Sequence, residues 1–266
     1  MVQINGTRMP VSSPQRRHRL RLATSSDILP AKDFYLRRMR EADTATRAFL
    51  PIPSLLEIAS AVADRNFFVL TDGTGSIVAV SGLFRLLVHD HGLFLELSGM
   101  CTAGEVGGLM PRSVQSIMLI ARILHAAYDL LGSSEGLALA SFVHRDNARS
   151  RENLNAAGLA EWSERPDWVS GEYVSWFGWE GGNDWLTLLV HPGCVVDAFS
   201  EALELGFLAG EIRLERPSRT NGETEHFVIE VDPTLFEGQF ATFLDTDLGA
   251  MAIGEPPRTL SFSNSD

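Results

Sequence analysis

The sequence predicts a fold of the α/β (α+β) class, because strand-type and helix-type patterns alternate along nearly all of its 266 residues. Three stretches carry that expectation. In "NFFVLTDGTGSIVAVSGLFRLL", two β-rich runs flank Asp72-Gly73-Thr74-Gly75, a strong hairpin signal. From Val114 to Leu131, apolar residues recur at helical spacing on one side, and Leu119, Ile120, Ile123 and Leu130 fill the other, so this helix is expected to be covered all round. "GLALASFV" is then a short continuous apolar run, as in a strand buried on both faces.

The other elements follow in order. Residues 1–17, with Pro10 and Pro14, read as a flexible leader. "LRLATSSDI" is a short alternating strand whose Thr-Ser-Ser-Asp cluster can cap the next helix. Helical patterns run over about 31–42 and 54–64, parted by the two prolines of "FLPIPS". "HGLFLELSGM" supplies a further strand, and the glycine-rich "AGEVGGLMPRS" turns into the long helix. After "GLALASFV", Asn147 stands as a helix N-cap and Gly158 as the stop. "GEYVSWFGWEGG" reads as a strand. Residues 183–266 read as strand, helix, strand, strand, helix, with a frayed end. The expected organisation is a leader over 1–17, a main domain over 18–182 and a small α+β C-terminal unit over 183–266.

Composition narrows the function. The net charge is −12, yet residues 1–47 hold 10 of the 22 basic groups and four of the 34 acidic ones. Over the rest of the chain, acids outnumber bases and repel nucleic acid, so nucleic acid is not an expected partner. No apolar run approaches a membrane span. Two cysteines, Cys101 and Cys194, give no disulfide framework and suit a reducing, cytoplasmic setting. His89 and His91 supply two ligands where a structural metal site needs about four, so no metal is expected. "GGLMPRS" lacks the Gly-Lys-Ser/Thr of a nucleotide-binding P-loop. Trp162, Trp168, Tyr173, Trp176, Phe177 and Trp179 read as packing between units, and Glu201, Glu204, Glu211 and Glu215 as a solvated face.

The chemistry-bearing stretch is "VHRDNARSRENLNAAGL". Preceded by a strand, a glycine-rich turn, a long helix and another strand, it resembles the GNAT superfamily of coenzyme A-dependent N-acyltransferases. In that family the segment after the fifth strand commonly reads V-x-P-x-N-x-x-S, closing on Gly and an apolar residue. Val143, Asn147, Ser150, Gly158 and Leu159 fall at the matching places, and Gln115 and Asn153 match one subgroup. The resemblance covers roughly residues 19–178. It implies a GNAT-like mixed, mostly antiparallel sheet flanked by helices, with acetyl-CoA or another acyl-CoA as co-substrate.

The physics of such a site points to particular residues. The pyrophosphate of coenzyme A suits a helix N-terminus, where free N–H groups and the dipole meet negative charge. The stretch from Met110 to Ser116 offers one, so Arg112, Ser113, Val114, Gln115 and Ser116 are cofactor candidates, with Asn147, Ser150 and Asn153 from the second motif. Met110, Pro111, Arg112 and Ser113 stand where the family carries Arg-Gly-x-Gly. An attacking amine must lose a proton, and Glu96 resembles in position the family's general base. The resemblance places a backbone N–H donor for the oxyanion on the fourth strand, near Cys101 and Ala103. Leu154 occupies the family's tyrosine position, which leaves Tyr128 and Tyr173 as candidate proton donors to the departing thiolate.

The expected activity is therefore transfer of an acetyl group to an amine, cationic by preference given the acidic chain, with a homodimer as an allowed assembly. Two other readings stand beside it. One is a degenerate coenzyme A-binding sensor or scaffold, motivated by the substituted loop and Leu154. The other is a toxin that acetylates aminoacyl-tRNA, for which the basic N-terminal segment would supply the RNA contact.

Overall fold

Strand β1 (Arg16–Leu22) sets up the sheet by alternation: His18 and Leu20 are buried, while Arg17 and Arg19 face solvent. The computed structural model of the protein describes residues 16–44, 47, 52–88, 92–103, 111–132, 139–144, 146–156, 159–161, 185–190, 192–207, 209–217, 224–236 and 260–261. At the end of β1 the Asp27 carboxylate accepts from the Thr24 backbone N–H at 2.7 Å and from its hydroxyl at 2.9 Å. The Thr-Ser-Ser-Asp cluster thus closes a capping box on the 3-10 turn Ser25–Asp27 that leads into α1 (Ile28–Glu41), whereas Asp27, the N-cap of α1 itself, makes no side-chain capping bond to that helix. Helix α2 (Leu55–Ala63) begins with a full capping box: Ser54 Oγ accepts from the Glu57 N–H at 3.1 Å and Glu57 accepts from the Ser54 N–H at 2.6 Å.

Strands β2 (Phe67–Asp72) and β3 (Ile77–Val88) form the expected hairpin. The Asp72 carboxylate accepts from the N–H groups of Thr74 and Ser76, and Gly75 takes the positive φ of 83° that the turn requires. Then come β4 (Gly92–Thr102), α3 (Pro111–Gly132), β5 (Leu139–His144), α4 (Ala148–Ala156), β6 (Leu159–Glu161) and β7 (Trp185–Val190). The chain continues with α5 (Pro192–Leu205), β8 (Glu211–Pro217), β9 (Thr224–Val231) and β10 (Leu260–Ser261).

All described strands join one mixed sheet in the order β10-β8-β9-β1-β2-β3-β4-β5-β7-β6. Most neighbours are antiparallel; β1 with β9, β8 with β10 and β4 with β5 are parallel. Adjacent residues of a strand face opposite sides, and β2 separates the two cores accordingly. Phe67 and Val69 pack with Ala31, Phe34, Tyr35, Ile58 and Ala61 of α1 and α2. Phe68 and Leu70 pack on the other face, with Met118, Ala121 and Leu124 of α3 and Phe199 and Ala202 of α5. Helices thus flank both faces, and α3 is buried all round from Ile117 to Leu124, as its two-sided apolar pattern predicts.

Two boundaries differ from the sequence reading. Strand β1 begins at Arg16, inside the stretch expected as leader; residues 1–15 lie outside the described residues. Of residues 183–266, expected as a small α+β C-terminal unit, the described strands belong to this same sheet: β7 enters between β5 and β6, and β9 runs beside β1 with β8 and β10 beyond it. Alternation in a sequence marks a strand but does not say which neighbour it finds. The expected strand over "GEYVSWFGWEGG", His89 and His91, and Gly158 lie outside the described residues.

Candidate active site where the fourth and fifth strands part

Strand β4 carries a bulge in its second half. Ser98 pairs with Gly82 and Cys101 with Val80, so Gly99 and Met100 stand opposite the single residue Ser81. Gly99 has a φ of +64°, and a Cβ there would lie 2.7 Å from the Tyr35 hydroxyl. Only glycine suits both demands. On its other side β4 pairs with β5 at Leu95–Leu139 and Glu96–Ala140, and the Ser141 hydroxyl reaches the Leu97 carbonyl at 3.1 Å. Beyond that point the ladder has no further pairs, although β4 continues to Thr102 and β5 to His144. Gly99 and Met100 therefore have no register partner on β3 or on β5.

The bulge also resets which side chains share a face. Leu95 and Leu97 belong to the core under α3, and strict alternation would put Cys101 beside them. The extra residue turns Cys101 to the α1 and α2 side instead. Glu96 lies on that same side, where the charge of Glu57 on α2 acts on it. Glu96 is half-buried, and its loss of water pushes the carboxyl above the usual glutamate range; a hydrogen bond with Ser98 opposes the shift and Glu57 adds to it. A carboxylate with raised affinity for a proton, on a strand that is parting from its neighbour, is equipped to take a proton from an amine. Phe84, the register partner of Glu96, packs edge-on against Phe67 at 6.4 Å and walls this position.

Two residues overlooked in the sequence converge on the bulge. Tyr35, buried on α1, donates its hydroxyl to the Gly99 carbonyl. Arg122, on α3, is 3% exposed and donates from Nη1 to the Ser98 carbonyl at 3.4 Å. Burial lowers the Arg122 guanidinium to about 10, so it stays charged at neutral pH, and among the described residues its Nε has no hydrogen-bond partner. The sequence held a signal for it: Arg122 interrupts the apolar run "SIMLIARILHAA". Burial pushes the Cys101 thiol up to about 11, against a smaller opposing effect of Arg38, so it is a packed side chain and not a nucleophile. Ala103 packs against both cores, and its N–H bonds the Val78 carbonyl at 2.8 Å.

On the cofactor side, Pro111, Arg112 and Ser113 form the first turn of α3, with Pro111 leading it. Val114 is fully buried, which leaves its backbone as the part able to meet a ligand. Gln115, in the second turn, accepts a hydrogen bond from the Asn153 amide of α4, so two residues 38 apart in sequence come together. Ser116 is half-buried beside them in α3. Asn147 caps α4, its Oδ1 accepting from the Ser150 N–H at 3.2 Å. Leu154 is 7% exposed and packs into the core with Val143 and Leu159. Tyr128 stands about 26 Å along the α3 axis from Pro111, by the rise of a helix. Tyr173, residues 104–110 and the tryptophans between 162 and 179 lie outside the described residues. Among the described residues there is no cluster of three metal-ligating side chains, and no helix is long and apolar enough to cross a membrane.

No protein-family model matches the sequence, and no curated protein matches it. Among solved structures, the chain is similar to an acetyltransferase of the GNAT family from Streptococcus pneumoniae, with 14% identity over 65% of this chain and 99% of that one and a TM-score of 0.45. It is also similar to spermidine N-acetyltransferase from Vibrio cholerae, solved with CoA and spermine, with 15% identity over 67% and 98% and a TM-score of 0.41. A third is ribosomal-protein-S18-alanine N-acetyltransferase from Escherichia coli, with 17% identity over 65% and 92% and a TM-score of 0.40.

Proposed function

We propose that this protein is an acyl-CoA-dependent N-acyltransferase that moves an acetyl group onto an amine. The observation that carries the reading is the bulged β4 parting from β5 beside Glu96, whose carboxyl burial tunes toward accepting a proton. Coenzyme A would lie with its pyrophosphate at the first turn of α3 and its pantetheine between the parted strands, near Gln115 and Asn153. The acceptor ammonium gives a proton to Glu96, and the freed nitrogen attacks the thioester carbonyl. The tetrahedral intermediate then collapses as the C–S bond breaks; the nitrogen's second proton passes, directly or through water, to the departing sulfur, and coenzyme A leaves as the thiol while Glu96 returns its proton to solvent. An amine with a net positive charge suits a chain of net charge −12.

Calorimetric titration with acetyl-CoA, followed by thiol release over a panel of polyamines, aminoglycosides and basic peptides, tests the proposal. Binding together with amine-dependent release supports it; neither binding nor release over the whole panel overturns it. Leu154 favours a second reading, a coenzyme A-binding sensor without turnover, because its position in the core offers the thiolate no proton. Turnover that falls at least tenfold in Glu96→Gln, with the fold unchanged, excludes that reading. The tRNA-acetylating alternative draws less support, since Arg17, Arg19 and Arg21 are each engaged by a carboxylate at 2.7–2.8 Å.

A further inference from the structure

Tyr35 and Arg122 reach the same bulge from opposite faces of the sheet. Tyr35 belongs to the core of α1 and α2, while the neighbours of Arg122 on α3 belong to the other core. The two side chains nevertheless act on each other electrostatically. They bond two consecutive peptide units. Tyr35 donates to the carbonyl of Gly99, whose peptide carries the N–H of Met100. Arg122 donates to the carbonyl of Ser98, whose peptide carries the N–H of Gly99. Gly99 and Met100 are the two β4 residues in this stretch without a register partner on β3 or β5.

Packing alone does not account for this arrangement. A fully buried guanidinium is costly without an anion, and among the described residues Arg122 has no carboxylate partner. An aliphatic side chain would fill the same space between α3 and β4 at less cost. A rule broken in the core is expected where function requires it. A hydrogen bond to a peptide carbonyl also polarises the N–H of that peptide, strengthening it as a donor by perhaps 10–30%. A positive charge beside that peptide, with no carboxylate partner among the described residues, is placed to favour negative charge developing next to it.

We propose that Tyr35 and Arg122 are positioning residues that clamp the two peptides of the β4 bulge from opposite faces, so that the bulge presents one polarised N–H to the carbonyl oxygen of a bound thioester. This rests on the acyltransferase reading and goes beyond it by assigning roles to two side chains that need not touch the substrate. Neither residue exchanges a proton in this scheme. The bond that forms and the bond that breaks are those of the acyl transfer itself.

The test is infrared difference spectroscopy of [1-13C]acetyl-CoA bound to the full chain, read beside its dissociation constant. In the unaltered protein the thioester carbonyl stretch is expected to lie below its value in water. In Tyr35→Phe, which removes one hydroxyl, and in Arg122→Lys, which keeps the charge but loses the fork geometry, at least half of that displacement is expected to disappear. Affinity should change less than threefold and kcat should fall about tenfold, a split that a general loss of packing would not produce. Circular dichroism and thermal melting establish that each variant is folded, and either folded variant suffices. A full displacement retained in a folded Tyr35→Phe or Arg122→Lys overturns the clamp while leaving the acyltransferase reading intact. Failure of the unaltered protein to bind acetyl-CoA overturns both.

Discussion

Glu96 is where the chemistry of a single residue is most exposed to test. Its carboxyl holds its proton above the usual glutamate range, chiefly through burial, so the base form is lost at a higher pH than for a free glutamate. The acid limb of kcat/KM against pH is therefore expected to lie above the ordinary 4.5, and Glu96→Gln to remove that limb while lowering turnover at least tenfold. Asp27 shows the opposite sign. The bond from Arg21 outweighs burial and brings its carboxyl down to about 2 from 3.8. Its stabilising effect is complete above the unfolded value and is lost as pH falls from about 4 to 2. Asp27→Asn should thus lower the melting temperature at pH 7 and flatten the loss of stability over that acid window. Glu96 was singled out in the sequence through its resemblance in position to the general base of the GNAT superfamily. Tyr35 was not, because a tyrosine in an amphipathic helix looks like any other core residue, and its partner carbonyl lies 64 positions away.

Elements were legible wherever local chemistry decides them. The Asp72–Gly75 turn, the Asn147 cap and the two-sided apolar pattern of α3 each set a segment without help from distant residues. Asn147→Ala is expected to cost about 1 kcal/mol, seen as a lower melting temperature with the acetyl-CoA affinity reported alongside. The bulge in β4 was illegible for the converse reason. "LELSGMCT" reads as plain alternation, and only pairing with β3 reveals the extra residue that moves Cys101 to the face of Glu96. Gly99→Ala forces a side chain into a φ of +64° and against the Tyr35 hydroxyl. A loss of roughly 1–2 kcal/mol of stability from the backbone alone is expected, with a fall in turnover larger than any change in KM for the acceptor.

At the scale of the whole molecule, two arginines of the basic N-terminal segment meet two acids of the acidic remainder in one contact. Arg17 meets Glu230 and Arg19 meets Asp232, each at 2.8 Å, where β1 runs parallel to β9. Charge asymmetry was visible in the sequence; the pairing was not, because parallel neighbours more than 200 residues apart leave no local trace. The core under α3 includes Leu20 of β1, Phe227 and Ile229 of β9 and Phe199 of α5, so these parts are expected to unfold together. Ile229→Ala, at a fully buried position, should cost on the order of 2–5 kcal/mol and shift one common transition seen by both tryptophan fluorescence and circular dichroism. The most direct test of the account is amine-dependent release of coenzyme A from acetyl-CoA, compared between the unaltered protein and Glu96→Gln. Release that requires an amine and falls at least tenfold in a folded Glu96→Gln is the expected result. Equal release by the two proteins, or none from either over the amine panel, would contradict it.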